Sequence, residues 1–210
     1  MRLKTSYTVD SIPFPEHPRP PAERETWTNL NGEWNLKKLS PANEELFNGK
    51  ILVPFSPETL NSGVANGFSL GRNERLLYRH SFTVDPSLLQ GVTHLHFGAV
   101  DSECEVWING HSAGSHRGGF TAFTLDVTEW LRLGENEITV LCRDEATRNE
   151  DPFGKQSDTR GGIWYTPQSG IWQTVWLESV PQNHIEGLKI TPTLDTVTIE
   201  VAGGAAEKTL

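Results

Sequence analysis

Between Leu76 and Leu177 the chain alternates apolar and polar residues in short runs, each closed by glycine, proline, asparagine or aspartate. That period of two fits a pleated strand with one buried face and does not fit a helix. The runs are Leu76–Val84, Thr93–Val100, Glu103–Ile108, His111–Ser115, Ala122–Leu125, Glu137–Arg143 and Ile171–Leu177. Seven strands predict a β-sandwich, and the 13 prolines and 19 glycines of the 210 residues also point away from long helices. The fold class read from the residues is all-β.

Local signals refine this pattern. Asn109-Gly110, between EVWI and HSAG, predicts a two-residue hairpin, and Asn31-Gly32 within WTNLNGEWNL predicts another turn of the type-I′ kind. Ile51–Val53 reads as a short strand ended by Pro54 and Pro57. Asp126-Val-Thr-Glu129 has the form of a capping box, and with Gly134 as a stop it predicts a helix of about two turns through Leu133. Thr8–Arg24 carries five prolines and reads as an extended arm that lies on a surface or links domains. Ile185–Thr191 and Thr196–Val201 flank Pro192–Asp195 as one hairpin followed by a tail of small residues. A lone hairpin is marginal in water, so the chain is expected to stop inside a second β-domain of something longer.

The net charge of −9, from 27 acidic and 18 basic residues, and the lack of any basic run argue against a nucleic-acid surface. No stretch resembles a signal peptide or a membrane helix, so a soluble, cytoplasmic chain is expected. Cys104 and Cys142 lie in phase with apolar strand neighbours and read as buried free thiols, with no CxxC or nearby His spacing for a metal. His94, His96, His111 and His116 stand at alternate positions, which fits pleat alternation better than a closed ligand set. No metal and no cofactor are therefore assigned.

Three of the seven tryptophans fall in Gly161–Glu178, GGIWYTPQSGIWQTVWLE. Aromatic rings on a glycine-flanked loop suit a sugar, which has an apolar face ringed by hydroxyls. Trp164 and Tyr165 are the candidate ring contacts, against the alternative of a packed tryptophan. The preceding interval Asp144–Gly162 lacks periodicity, and Lys155, Gln156, Asp158 and Arg160 there could bond hydroxyls or a uronate carboxylate, against the alternative of a solvated polar loop. Strand Ile171–Leu177 has apolar residues on both faces, which predicts one face in the core and the other under the proline-rich arm or another domain, unless the strand is wholly internal.

The segments WTNLNGEWNL, ILVPFSPE, YRHSF, VDSECEVWINGHSAGSHRGGFTAFTLDVT, GENEITVLCRD and GKQ…GGIWYTPQSGIWQTVWLE together resemble the N-terminal sugar-binding domain of glycoside hydrolase family 2. That family includes β-galactosidases, β-glucuronidases and β-mannosidases. The resemblance runs from Trp27 to Pro181 and implies a galactose-binding-domain-like jelly-roll sandwich over residues 27–182. The proline-rich arm then takes residues 1–26, and the resemblance further implies the start of an immunoglobulin-like domain over 183–210. The resemblance also implies retaining hydrolysis of terminal β-linked sugars by a (β/α)8 barrel outside this chain, so no catalytic residue is assigned here and the fragment is expected to be inactive alone. The Asn-Glu pairs at 43–44, 73–74, 136–137 and 149–150 are read as chance matches in loops or turns. In the better-known members an aspartate just before the SGI-like strand reaches the substrate; GGIWYTPQSGI has none, and Asp158 lies several residues upstream. The expected partners are a carbohydrate and the downstream domains, with homo-oligomer formation left open. The two other readings are a stand-alone carbohydrate-binding module and a structural interaction domain.

Overall fold

The computed structural model describes residues 11–64, 67–144, 152–159 and 161–203. In chain order the strands are β1 (Trp27–Asn29), β2 (Gly32–Leu39), β3 (Glu45–Val53), β4 (Arg75–Val84), β5 (Val92–Phe97), β6 (Val100–Asp101) and β7 (Glu103–Ile108). They continue as β8 (His111–Arg117), β9 (Phe123–Asp126), β10 (Gly134–Arg143), β11 (Gly170–Ile171), β12 (Val175–Val180), β13 (Gly187–Pro192) and β14 (Val197–Ala202). Short 3-10 turns at Pro20–Ala22, Leu60–Ser62 and Pro86–Leu89 complete the described elements. Among the described residues no helix is long and apolar enough to cross a membrane.

A six-stranded sheet, ordered β3-β2-β4-β10-β7-β8, and a four-stranded sheet, β1-β12-β5-β9, contribute to one core. Alternation along the strands decides what enters it. Trp34 and Leu36 of β2, Leu76 and Tyr78 of β4, and Ile138 and Val140 of β10 come from the larger sheet; Leu95, Phe97, Val175 and Leu177 come from the smaller. Each fully buried aliphatic side chain contributes about 1.5–3 kcal/mol, so the core outweighs any single turn or ion pair. Cys104 and Cys142 stand opposite each other across β7 and β10 as buried free thiols, and burial pushes the Cys104 thiol up to about 12. The sandwich expected from the periodicity and the resemblance is the fold observed.

Asn109-Gly110 forms the tight β7–β8 hairpin, with φ of 52° and 82°, as its two-residue loop requires. Asn31-Gly32 does not form a hairpin. β1 pairs with β12 in the small sheet while β2 pairs with β3 and β4 in the large one, so this dipeptide carries the chain between layers. Asn31 is buried there, donating from Nδ2 to the Pro13 carbonyl and the Thr174 hydroxyl and accepting the Val175 N–H. The predicted helix from Asp126 is also absent. Asp126 accepts from Thr128, two residues on, and the buried Asn136 side chain takes the Arg132 N–H and donates to the carbonyls of Arg132 and Gly134. A single turn results, closed by Trp130 N–H on the Val127 carbonyl.

Two expected strands are each broken in two. Thr93–Val100 divides into β5 and β6 at Gly98-Ala99, and Ile171–Leu177 divides into β11 and β12 at Trp172–Thr174. The breaks face each other: Gly98 N–H bonds the Thr174 carbonyl at 2.9 Å and Trp172 N–H bonds the Ala99 carbonyl at 3.3 Å. A Cβ on Gly98 would lie 2.7 Å from the Gln173 Cβ, so this close approach needs glycine. The antiparallel pair therefore bends as a unit, and β6–β11 leaves the small sheet as a separate two-stranded corner.

The proline-rich arm lies on the outer face of the small sheet. The His17 ring packs edge-on against Trp27 at 4.8 Å and Trp176 at 6.4 Å, and the Arg19 guanidinium sits 5.1 Å from the Trp176 ring centroid. Trp176 is only 2% exposed as a result, while Val175 and Leu177 fill the core, so β12 has one face inside and the other under the arm.

Candidate functional site

A pocket of about 250 Å3 opens at the β6–β11 corner. Asp101 ends β6 at its floor, Trp172 comes from the bend between β11 and β12, and Phe120 comes from the β8–β9 loop. Phe153–Gln156 and the segment Tyr165–Gln168 supply the facing wall. One backbone bond and one backbone-to-side-chain bond hold this wall: Tyr165 N–H donates to the Lys155 carbonyl at 2.8 Å and Gln168 N–H donates to Gln156 Oε1 at 2.8 Å. Gln156 Nε2 lies 3.5 Å from Asp101 Oδ2.

The Gly118-Gly119 loop closes the floor. Gly119 offers its carbonyl to the Trp172 ring N–H at 2.7 Å, and a Cβ there would stand 2.1 Å from Asp101 Oδ1. Phe120 meets Trp172 edge-on at 5.9 Å. The site thus joins aromatic surface from Phe120, Tyr165 and Trp172 to a carboxylate, an amide and the Lys155 cation. That combination can stack an apolar sugar face and bond its hydroxyls. Its volume falls below the roughly 300–1,000 Å3 of complete small-molecule sites, so it suits part of a ligand.

Of the residues singled out from sequence, Lys155, Gln156 and Tyr165 line this pocket. Trp164 is 41% exposed beside it, in a tight turn with Gly161 (Trp164 N–H to Gly161 carbonyl, 3.1 Å), and does not line it. Asp158 is exposed and also lies off the lining, and Arg160 falls outside the described residues. Asp101, Phe120, Phe153, Gln168 and Trp172 were missed. The only sequence signal for Asp101 and Phe120 was Gly118-Gly119 before an aromatic, which marks a close backbone approach without naming its partner.

A second polar cluster lies under the arm. The ligand-type atoms of His94, His96 and Glu178 fall within 4.8 Å of one another, and His17 Nε2 lies 3.6 Å from Glu178 Oε2. The donor chemistry opposes a metal here. Arg19 Nη2, which can only donate, lies 3.3 Å from His96 Nδ1, and the Thr124 hydroxyl lies 2.7 Å from the same nitrogen, so Nδ1 is taken up as an acceptor while Nε2 stands 3.3 Å from Glu178 Oε1. Burial pushes the Glu178 carboxyl up, but His96, Arg24 and Arg19 outweigh it and hold it below its ordinary value. Burial likewise lowers His94 and His96. The cluster anchors the arm. His111 and His116 are packing residues, stacked on Trp130 at 4.9 Å and on Phe123 at 4.2 Å. Of the Asn-Glu pairs, Asn43 and Asn73 sit in turns with φ of 68° and 60°, Asn136-Glu137 lies within β10 rather than a loop, and 149–150 falls outside the described residues.

Residues 57–181 match the family described as glycosyl hydrolases family 2, sugar binding domain. A putative β-glucuronidase of Formosa agariphila is 30% identical over 176 residues, which cover 79% of this chain and 20% of that protein. A β-galactosidase of Thermoanaerobacter pseudethanolicus is 31% identical over 111 residues, 52% of this chain and 14% of its own length. Among solved structures, Faecalibacterium prausnitzii β-glucuronidase superposes with a TM-score of 0.64 at 25% identity, over 89% of this chain and 37% of that one. A β-glucuronidase from an uncultured Clostridium gives 0.66 at 24% identity, over 89% and 35%. The chain therefore spans about a fifth of the length of the first of these relatives.

Proposed function

The chain belongs to the sugar-binding domain family of glycosyl hydrolases family 2, and from that premise we propose that it is the N-terminal, non-catalytic part of a retaining β-glycosidase. It shapes one wall of a substrate site whose carboxylates stand on a (β/α)8 barrel in the same polypeptide. Retaining hydrolysis needs two carboxyl groups about 5–5.5 Å apart on either side of the scissile bond. No such pair is assigned in this chain, which by itself is inactive on this reading. The substrate is a terminal β-linked sugar. Residues 1–26 serve as the arm, 27–182 as the jelly roll and 183–210 as the first part of an immunoglobulin-like domain.

The observation that supports a role in substrate binding is the convergence of Lys155, Gln156 and Tyr165 with Asp101 and Trp172 in a pocket too small to be a whole site. Trp164 and Asp158, which lie off the lining, and Arg160, close to both in sequence, complete the proposed contact set. In the full-length glycosidase, Gln156→Ala and Tyr165→Ala raise KM about 2- to 10-fold, the size of one lost hydrogen bond or ring contact, and leave kcat nearly unchanged. Trp164→Ala tests the rim in the same assay. Unchanged KM in all three variants sinks the sugar-contact role.

A further inference from the structure

The pocket wall has a support that neither the sequence nor the family assignment picks out. Behind Gln168 the wall passes into Ser169, which is 2% exposed. Ser169 donates twice to one side chain: its hydroxyl to Glu58 Oε1 at 2.6 Å and its N–H to Glu58 Oε2 at 3.1 Å. Two residues before Glu58, Ser56 Oγ donates to Gln168 Oε1 at 3.2 Å. Glu58 stands in the loop after β3, more than a hundred residues away in sequence, so these bonds tie two distant loops together.

We propose that Glu58 is a positioning residue for the substrate pocket: its carboxylate clasps Ser169 and so holds the Tyr165–Gln168 wall, and the order of that wall follows the ionisation of Glu58. This rests on the reading of the pocket as a sugar wall. Two donors on two oxygens are best matched by a carboxylate, because a protonated carboxyl gives up one acceptor for a donor. Burial pushes the Glu58 carboxyl up to about 7, against the downward pull of the two Ser169 bonds and with a further upward push from Asp144. The other titratable groups facing it are the buried Tyr78 of β4 and Cys142 of β10, both neutral. Exchange at the Ser169 amide admits water to its acceptor Glu58, so opening removes the burial that outweighs the two Ser169 bonds and returns the carboxyl toward its ordinary range. A proton is therefore released on opening, so the clasp is tightest at the acid end and loosens as pH rises through about 7.

The test is hydrogen exchange at the Gln168 and Ser169 amides of this chain, corrected for intrinsic rates. Protection falls about tenfold or more as pH rises from about 5 to about 8, and Glu58→Gln removes that dependence. Protection that is constant across this range, or equal in Glu58→Gln and wild type, overturns the clasp. Should Glu58→Gln not fold, Ser169→Ala serves: the Glu58 carboxyl, followed by carbon NMR, moves further up, and an unmoved titration overturns the proposal. No sugar enters these measurements. In the full-length glycosidase, Glu58→Gln then raises KM about tenfold with kcat held, the fold-change of one lost bond to a charged group. A clasp seen by exchange with KM unmoved overturns the sugar-wall reading and leaves the clasp intact.

Discussion

At the scale of single residues, the corner pocket depends on places where a side chain would not fit. Gly170 has φ of 79°, and a Cβ there would lie 2.0 Å from the Tyr78 hydroxyl, which is fully buried and cannot swing away. Gly170→Ala combines left-handed strain with overpacking and costs about 2–4 kcal/mol in urea unfolding. In a Tyr78→Phe background the cost falls, because the colliding hydroxyl is gone; equal costs in both backgrounds would show that the collision is not the cause. The same residue scale explains what could be read of the site in advance. Lys155, Gln156 and Tyr165 advertise themselves as polar and aromatic residues in a loop without periodicity. Trp172 sits inside an apolar run and reads as a strand residue, while Asp101 falls between two runs and is buried, so only the β6–β11 corner brings the two together. Glu58 carries no signal at all, because its partner Ser169 is defined by tertiary structure alone.

At the scale of elements, alternation predicted strand existence well and strand continuity poorly. Ile171–Leu177 reads as one strand interrupted only by Gln173-Thr174, yet it serves two sheets, and its partner strand breaks opposite that dipeptide at Gly98. The helix expected from Asp126 fails for a similar reason. Its capping residue is used, but Asn136 claims the Arg132 backbone groups from across a turn, and Trp130 and Leu131 pack on the core instead of lining a helix face. The arm is the opposite case: its prolines predicted an extended element, and the unusual second apolar face of Ile171–Leu177 predicted its cover. His17, Arg19 and Arg24 fix it to Glu178 and Trp176. Replacing His17 and Arg19 together by alanine removes two aromatic edge contacts and a cation–π contact, costs about 2 kcal/mol, and opens Trp176 to quenching by acrylamide. Stability and quenching at wild-type levels in that double variant would show that the arm merely lies on the sheet.

At the scale of the whole molecule, the sandwich closes its own core, but the segment after it does not. β13 and β14 pair Leu188 with Val201 and Ile190 with Ile199 on one face, and all four are 39–57% exposed. A two-stranded ribbon with a bare apolar face is marginal in water and acquires stability from a third strand or a covering layer. The chain covers only 20% of the Formosa relative's length, so a covering layer from further along the polypeptide fits the proposed immunoglobulin-like domain. The 210-residue chain on its own should therefore show two stability classes in one hydrogen-exchange experiment. Amides of β4, β7 and β10 exchange only on global unfolding, whereas those of β13 and β14 exchange about a hundredfold faster or more, through local opening. In a polypeptide extended through the proposed second domain, the β13–β14 amides gain protection to the level of the sandwich, because their apolar face is then buried. Ile190→Lys separates packing from mere length: it leaves the sandwich class untouched in the short chain and abolishes the gain in the extended one. Protection of β13–β14 equal to the sandwich in the short chain would mean that the ribbon already has its partner, and the boundary after residue 182 would have to be abandoned.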